Sequence, residues 1–234
     1  MGIFSQRIVL LALLGGGSIV AFIWLMHFKE KLGLHWWSAL LLSLLHSVVG
    51  VLCTLIFGFL ETGFDPSSFG NLSLYGGAFF MPLFYWLTAI ILKKKPGLVF
   101  DIFTICLIET LFFARINCLI KGCCYGIPFF GSRTLLWPTR ELELVFYVIL
   151  AFHLGRRALR DPGTGLSYPT YLISYGTFRF VIEWARHTDS SALIHRGHIW
   201  SLLALCIGIS FYFTISTRQK EGKRKPNIKK KARG

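Results

Sequence analysis

YGTFRFVIEWARHTD, Tyr175 to Asp189, closes a strongly apolar segment with Arg179, Glu183 and Arg186 at spacings of four and three. Residues three and four apart share one side of a helix, so two guanidinium groups with a carboxylate between them face one direction at the end of what reads as a membrane span. Ionisable groups in that position are costly to bury and mark a functional site by default, the alternative being an interface salt bridge that fixes helix packing.

The remainder of the chain extends the membrane reading. Of 234 residues, 54% are hydrophobic and 15% charged, and the mean hydropathy is +0.59, which excludes an ordinary soluble domain. Apolar windows suited to crossing roughly 30 Å of hydrocarbon run at 8–28, 38–60, 74–92, 99–117, 141–155, 167–184 and 197–216, the fifth short and the sixth polar at its end. These predict an all-α, polytopic membrane protein with about seven transmembrane helices, one membrane domain over 1–217 and a basic tail over 218–234, without internal repeats.

Basic residues give the expected sidedness. An N terminus outside and a C terminus in the cytoplasm place Lys29, Lys31, Lys93 to Lys95, Arg156, Arg157, Arg160 and the tail on the cytoplasmic side, 17 of the 25 lysines and arginines, as the positive-inside rule prefers. The net charge of +14 then has a membrane explanation. The tail KRKPNIKKKARG is expected against anionic headgroups, not nucleic acid. MGIFSQRIVLLALL reads as an uncleaved first span, because only Arg7 precedes the apolar run and no small-residue cleavage site closes it before Trp24. Gly15, Gly16 and Gly17 permit close helix approach and lack the lysine and hydroxyl residue of a phosphate loop.

With that topology the polar residues collect in one outer layer. Tyr75, Gly76 and Gly77 begin the third span, Arg115 ends the fourth, and Pro138 to Glu143 begin the fifth. Arg179, Glu183 and Arg186 end the sixth, and His198 begins the seventh. Arg115 and Arg179 are suited to gripping a phosphate, since a guanidinium is a rigid fork of donors that stays protonated in a dry cavity. Glu143 and Glu183 are either partners that hold these arginines or proton acceptors. The partner role is favoured for Glu183, whose neighbours Arg179 and Arg186 stabilise its ionised form.

His198, beside Arg196, is either an interfacial polar group or a proton acceptor. His27, His35, His46 and His153 show no ligand spacing, and His187 and His195 near His198 do not make a zinc site by spacing alone. Six cysteines occur, three of them within NCLIKGCCYG, with no CxxC pair, so neither a thioredoxin-like motif nor a four-cysteine metal site is indicated. Cys53, Cys106 and Cys206 read as small apolar residues of spans. Cys118 can pair with Cys123 or Cys124 in an oxidising compartment, Gly122 allowing the turn, or Cys123 can be a nucleophile beside Arg115.

These segments resemble the prolipoprotein diacylglyceryl transferases of bacterial membranes. ARINCLIKGCCYG at 114–126 is similar to the family's GRIGNFINGELYG, WPTRELE at 137–143 to HPTQLYE, and YGTFRFVIEWARHTD to YGxxRFxxExxRxPD. SLYGGAFF at 73–80 resembles the HGG segment, and RGHIWS at 196–201 the later GQxxS stretch. The matches keep the family order, and RFxxExxR is the specific element.

The resemblance implies that phosphatidylglycerol or another anionic phospholipid is drawn from the membrane and its diacylglyceryl group passed to the lipobox cysteine of an exported prolipoprotein, releasing glycerol 1-phosphate. Its signature residues fall on Arg115, Glu143, Arg179, Glu183 and Arg186; with His198, which could supply a base if the fold brings it inward, and Tyr75, the expected catalytic residues are Arg115, Glu143, Arg179, Glu183, His198 and Tyr75. Lipid binding falls to Arg115, Arg179, Arg186, Tyr75, Gly76, Gly77, Tyr125 and Tyr175. No cofactor or metal is expected, and the protein is read as a monomer of the bacterial cytoplasmic membrane with its site toward the outer leaflet.

Five positions depart from the family pattern. Tyr75 stands for the histidine of HGG, Cys118 for the asparagine of GRIGN, Cys123 for the glutamate of NGELYG, His198 for glutamine, and Trp137 for the histidine before proline. A tyrosine with an ordinary pKa near 10 is a poor base. Two other readings therefore stay open: a transferase with a different acceptor, and a lipid-binding or lipid-transport protein without catalysis.

Overall fold

Pro96 and Gly122 bracket the helix around which the protein is assembled. The computed structural model describes the backbone of residues 3–65, 72–129, 135–187 and 194–231, and the side chains of 8–9, 11–65, 72–129, 135–187 and 194–221. The side chain of Arg7, residues Thr188 and Asp189, and the side chains of the basic tail beyond 221 lie outside these. The element order is α1 (Ile3–His27), α2 (Lys29–Leu32), α3 (Trp36–Glu61), α4 (Tyr75–Ile91), α5 (Pro96–Lys121), α6 (Thr139–Arg160), α7 (Ser167–Glu183) and α8 (Arg196–Lys231).

Pro96 opens α5, where its missing N–H is not needed and its φ is preset. Gly122 closes it in the left-handed region at φ 69°, and the N–H groups of Gly122 and Cys123 donate to the carbonyls of Leu119 and Cys118, each at 3.2 Å. This satisfies terminal carbonyls that would otherwise be orphaned. Between the caps, α5 packs against α1, α3, α4, α6 and α7 and buries Ile102, Phe103, Leu107 and Ile108 completely. Helices α7 and α8 meet backbone to backbone. A Cβ on Gly176 would stand 2.7 Å from both the Ser201 carbonyl oxygen and the Leu205 nitrogen, so only glycine allows that approach.

Large apolar side chains point outward along Leu41, Leu45, Val48 and Leu52 of α3, Leu83 and Leu87 of α4, Val145, Val148 and Ile149 of α6, and Ile199 and Leu202 of α8. So much exposed apolar surface is what lipid contact requires. The protein is all-α, membrane-associated and multi-pass. Among the described residues the only β-structure is two isolated bridges, Gly126 with Arg186 and Pro128 with Leu136.

The expectation of about seven spans is corrected by the helices themselves. Among the described residues three are long and apolar enough to cross a membrane, Trp36–Glu61, Pro96–Lys121 and Arg196–Glu221, while Leu11–His27 and Tyr75–Ile91 are shorter apolar helices. At 1.5 Å per residue a 17-residue helix is about 25 Å long, short of roughly 30 Å of hydrocarbon. In α6 the apolar stretch is flanked inside the helix by Arg140, Glu141 and Glu143 at one end and Arg156, Arg157 and Arg160 at the other. Helix α7 has 17 residues, several of them Ser, Thr and Tyr. The sidedness expected from the basic residues rests on where those residues lie and not on the number of spans.

At the end of α5 opposite Gly122, buried Asp101 organises the α6–α7 turn. Its carboxylate accepts from the N–H groups of Gly163, Gly165 and Ser167, each at 2.9 Å, and from the Thr164 hydroxyl at 3.1 Å. Asp101→Ala removes four acceptor contacts at once. It should lower stability in detergent by about 3 kcal/mol or more, read as the midpoint of denaturant unfolding; an unchanged midpoint would show that the turn is held by something else.

Candidate functional site

Opposite Asp101, α5 and α7 end close to the starts of α4, α6 and α8. The loop after α5 returns past α7: Ile127 N–H donates to the Ala185 carbonyl at 2.9 Å and His187 N–H to the Tyr125 carbonyl at 3.0 Å, while Trp137 N–H donates to Ile127 at 2.9 Å. This ties the exits of α5 and α7 to the entrance of α6. Arg115, Glu143, Arg179 and Glu183, separated by up to 68 positions in sequence, are thereby gathered with no more than 5% of each exposed.

Glu143 stands at the centre. One carboxylate oxygen pairs with Arg115 Nε and the other accepts from Arg179 Nη1 at 2.8 Å. Arg179 Nη2 continues to Glu183 Oε2 at 3.0 Å, and that oxygen accepts from Arg186 Nη1 at 3.3 Å. The result is an alternating row, Arg115, Glu143, Arg179, Glu183, Arg186, of three cations and two anions. A buried charge is tolerated only when paired, and the row leaves one formal positive charge in excess. Tyr75 supports it from α4: the Arg179 guanidinium lies 5.5 Å from the Tyr75 ring centroid, a cation–π contact.

The row borders a cavity of about 850 Å³. Its lining includes Arg115, Arg179, Glu183 and Arg186, together with Tyr75, Cys118 and Cys124, and the apolar side chains of Leu13, Leu14, Val51, Leu111 and Phe113. One cavity thus offers guanidinium donors and hydrocarbon contact, the two halves of an amphiphile's requirement. In the loop, the Cys124 thiol is held well below the usual thiol range, to about 4, by its hydrogen bond with Cys118 and then by the charges of Arg186 and Arg115.

Residues 64–214 match the family model described as prolipoprotein diacylglyceryl transferase, which is more than half of the chain. The chain belongs to the prolipoprotein diacylglyceryl transferase family. It is similar to a phosphatidylglycerol–prolipoprotein diacylglyceryl transferase of Clostridium tetani, 30% identical over 124 residues, covering 47% of this chain and 49% of the relative. A second such protein, transferase 2 of Clostridium perfringens, is 30% identical over 115 residues, 43% and 45% of the two chains. That of Dehalococcoides mccartyi is 26% identical over 124 residues, 46% and 47%. The chain spans about half the length of the relatives it matches.

Within this family framework the expected site residues take distinct positions. Arg115, Arg179, Glu183, Arg186 and Tyr75 reach the cavity. Among the described residues, Glu143, Gly76, Gly77, Tyr125, Tyr175 and His198 are not on its wall. Gly76 serves helix contact, for a Cβ there would lie 2.1 Å from the Cys53 carbonyl oxygen. Gly77 faces Leu107. Tyr175 is fully buried between Tyr171 and Tyr75, and the Tyr125 ring lies tilted against His187. His198 is buried behind Phe180 and Trp184, and its Nδ1 accepts from the His195 N–H at 3.2 Å.

Other residues enter that sequence reasoning did not single out. Ser201 Oγ lies 2.7 Å from the Tyr75 hydroxyl, which also donates to the Gly197 carbonyl at 2.8 Å. Asn117 lines the cavity, and Tyr147 is buried four residues after Glu143 on α6. That spacing was the available signal for Tyr147; Ser201 ends the RGHIWS stretch and Asn117 lies within ARINCLIKGCCYG, so both fell inside motifs without being singled out.

Glu143→Ala leaves two buried guanidinium groups without their shared partner. It should destabilise the protein in detergent by about 3–5 kcal/mol, with Glu143→Gln recovering part of the loss because an amide oxygen still accepts from one arginine. Wild-type unfolding curves for both variants would show that the row is not held through Glu143.

Proposed function

We propose that this chain transfers the diacylglyceryl group of phosphatidylglycerol to the cysteine thiol of an exported prolipoprotein, releasing glycerol 1-phosphate. The observation that carries the reading is the single cavity that joins Arg115, Arg179 and Arg186 to an apolar wall. A phospholipid has that division, an anionic phosphate joined through glycerol to acyl chains.

The reaction breaks the bond between a glycerol carbon and a phosphate oxygen and forms a bond from that carbon to sulfur. Arg115 and Arg179 grip the phosphate and stabilise the charge that grows on it as it leaves. Arg186, nearer the surface, guides the headgroup. Glu143 and Glu183 act as positioning residues, their carboxylates engaged by arginines. Tyr75 steadies Arg179 with its ring. His198 acts as packing between α7 and α8, its Nδ1 already occupied. No cofactor is needed for the carbon–oxygen cleavage, since the phospholipid carries its own leaving group. The protein lies in the bacterial cytoplasmic membrane with the site toward the outer leaflet. Supporting this, Lys93 to Lys95 follow α4 and Arg156, Arg157 and Arg160 end α6, both at the helix ends opposite the site, where the positive-inside rule puts the cytoplasm.

A second reading, transfer of the same group to another acceptor, draws on Tyr75. Its hydroxyl, standing for the family's histidine, is taken up by Gly197 and Ser201.

The test uses purified protein in phosphatidylglycerol vesicles with a lipobox peptide and its Cys→Ser control. Mass spectrometry should show one diacylglyceryl unit added to the cysteine peptide alone. Arg115→Ala and Arg179→Ala should each cut the rate by at least about 100-fold, and Arg186→Ala by less. An unchanged peptide with phosphatidylglycerol consumed would favour the other acceptor. Unchanged peptide and unchanged lipid would overturn the enzymatic reading.

A further inference from the structure

Three thiols converge where α5 ends. Gly122 and Cys124 both take left-handed backbone, φ 69° and 59°, which curls the chain back so that the sulfurs of Cys118, Cys123 and Cys124 all lie within 4.8 Å of one another. All three are free thiols. A left-handed cysteine is strained and persists where surrounding structure imposes it, commonly at ligand sites. Two of the three stand where the family pattern has asparagine and glutamate. Bonds of about 2.3 Å to a tetrahedral zinc ion set sulfurs about 3.8 Å apart, so the cluster is within a side-chain adjustment of a ligand set. The spacing CxxxxCC hides this, because the turn and not a CxxC knuckle brings the sulfurs together.

We propose that Cys118, Cys123 and Cys124 bind a thiophilic divalent d10 cation whose open fourth position takes the acceptor thiol, an inference that rests on the transfer reaction proposed above. Three protein ligands with one position open is the arrangement of catalytic zinc, whereas structural sites are closed by four. The position is accessible from the reaction side, because Cys118 and Cys124 line the cavity that holds Arg115 and Arg186 and Cys123 is exposed.

The cation supplies activation of the thiol directly beside the arginines. Glu143 and Glu183 are engaged with arginines, the Tyr75 hydroxyl is bound to Gly197 and Ser201, and His198 is off the cavity wall. A thiol bound to such an ion is deprotonated outright. On binding, the acceptor thiol gives its proton to water. Its sulfur then forms the bond to the glycerol carbon as the carbon–oxygen bond breaks, and the electron pair leaves with glycerol 1-phosphate beside Arg115 and Arg179. The product thioether is a neutral, weaker ligand and dissociates, leaving the cation on its three cysteines. No oxidation state changes. Four thiolates on a divalent ion carry a formal charge of about −2, and the one excess positive charge of the adjacent arginine row offsets part of it.

The full chain, reduced, stripped with chelator and held in detergent, is titrated with Zn²⁺, and bound metal is counted by mass spectrometry. One ion per chain should be retained. Cys118→Ser, Cys123→Ser and Cys124→Ser should each weaken binding by more than the roughly 100-fold that losing a supporting residue costs. A variant with Cys53, Cys106 and Cys206 all replaced by serine should bind as the wild type does. With Co²⁺ in place of zinc, the sulfur-to-metal absorption should grow when the cysteine lipobox peptide is added and stay constant with its serine control. No retained metal, or two of the three thiols found as a disulfide in freshly isolated protein, would overturn the site. Metal that ignores the cysteine peptide, or full transfer by stripped protein, would overturn its role as thiol activator while the transfer reaction stands. Metal and peptide thiol both bound, without transfer, would leave the site and sink the reaction.

Discussion

Glu143 is the shared counterion of two buried arginines on different helices, and the arrangement of the site depends on that sharing. Arg115 belongs to α5 and Arg179 to α7; without a carboxylate between them, two desolvated cations would repel each other in a low-dielectric interior. Placed on α6, Glu143 lets three helices converge at one end of the molecule. The same contact sets the direction of each guanidinium, so that the donors not engaged with Glu143 and Glu183 can serve the cavity. Burial makes the row costly to form, and the return is rigidity where an anionic group must be oriented.

The cavity and the row together describe an amphiphile's environment, and the proposed chemistry divides between them. Leaving-group charge is met by arginines. On the wall the Glu183 carboxylate is paired with Arg179 and Arg186 and the Tyr75 hydroxyl is bound to Gly197 and Ser201, so neither is free to activate the attacking sulfur. The three cysteines at the α5 cap stand beside the arginines, where a cation would lower the thiol's proton affinity without requiring a histidine. Tyr75, Cys118 and Cys124 line the same cavity, the tyrosine hydroxyl bound to Gly197 and Ser201 and the thiols gathered at the α5 cap.

Lipid contact imposes the second constraint. Outward-facing apolar residues on α3, α4, α6 and α8 leave polar groups nowhere to go except the helix ends and the interior. Asp101 shows the consequence at the end opposite the site, where one carboxylate satisfies three backbone N–H groups and a hydroxyl of the α6–α7 turn. In a medium that offers no water to unpaired backbone groups, such an anchor replaces the solvation a soluble loop would have.

The sequence by itself determined the membrane class, the helical character and the family pattern, because hydropathy is additive along the chain and the RFxxExxR spacing places its charges on one helical side whatever surrounds them. It also pointed to Arg115, Arg179, Glu183 and Arg186 as a charged group, since spans ending at one level bring their ends together. The number of crossing helices was not legible: apolar windows at 141–155 and 167–184 look like spans, but α6 begins and ends in charge and α7 is short and rich in hydroxyl groups. Nor were the partners legible. That Glu143 serves two arginines, that His198 packs against Phe180 and Trp184, and that Cys118, Cys123 and Cys124 meet through two left-handed residues all depend on how helices pack and how one cap turns. Those are contacts between distant parts of the chain, which only the tertiary structure decides.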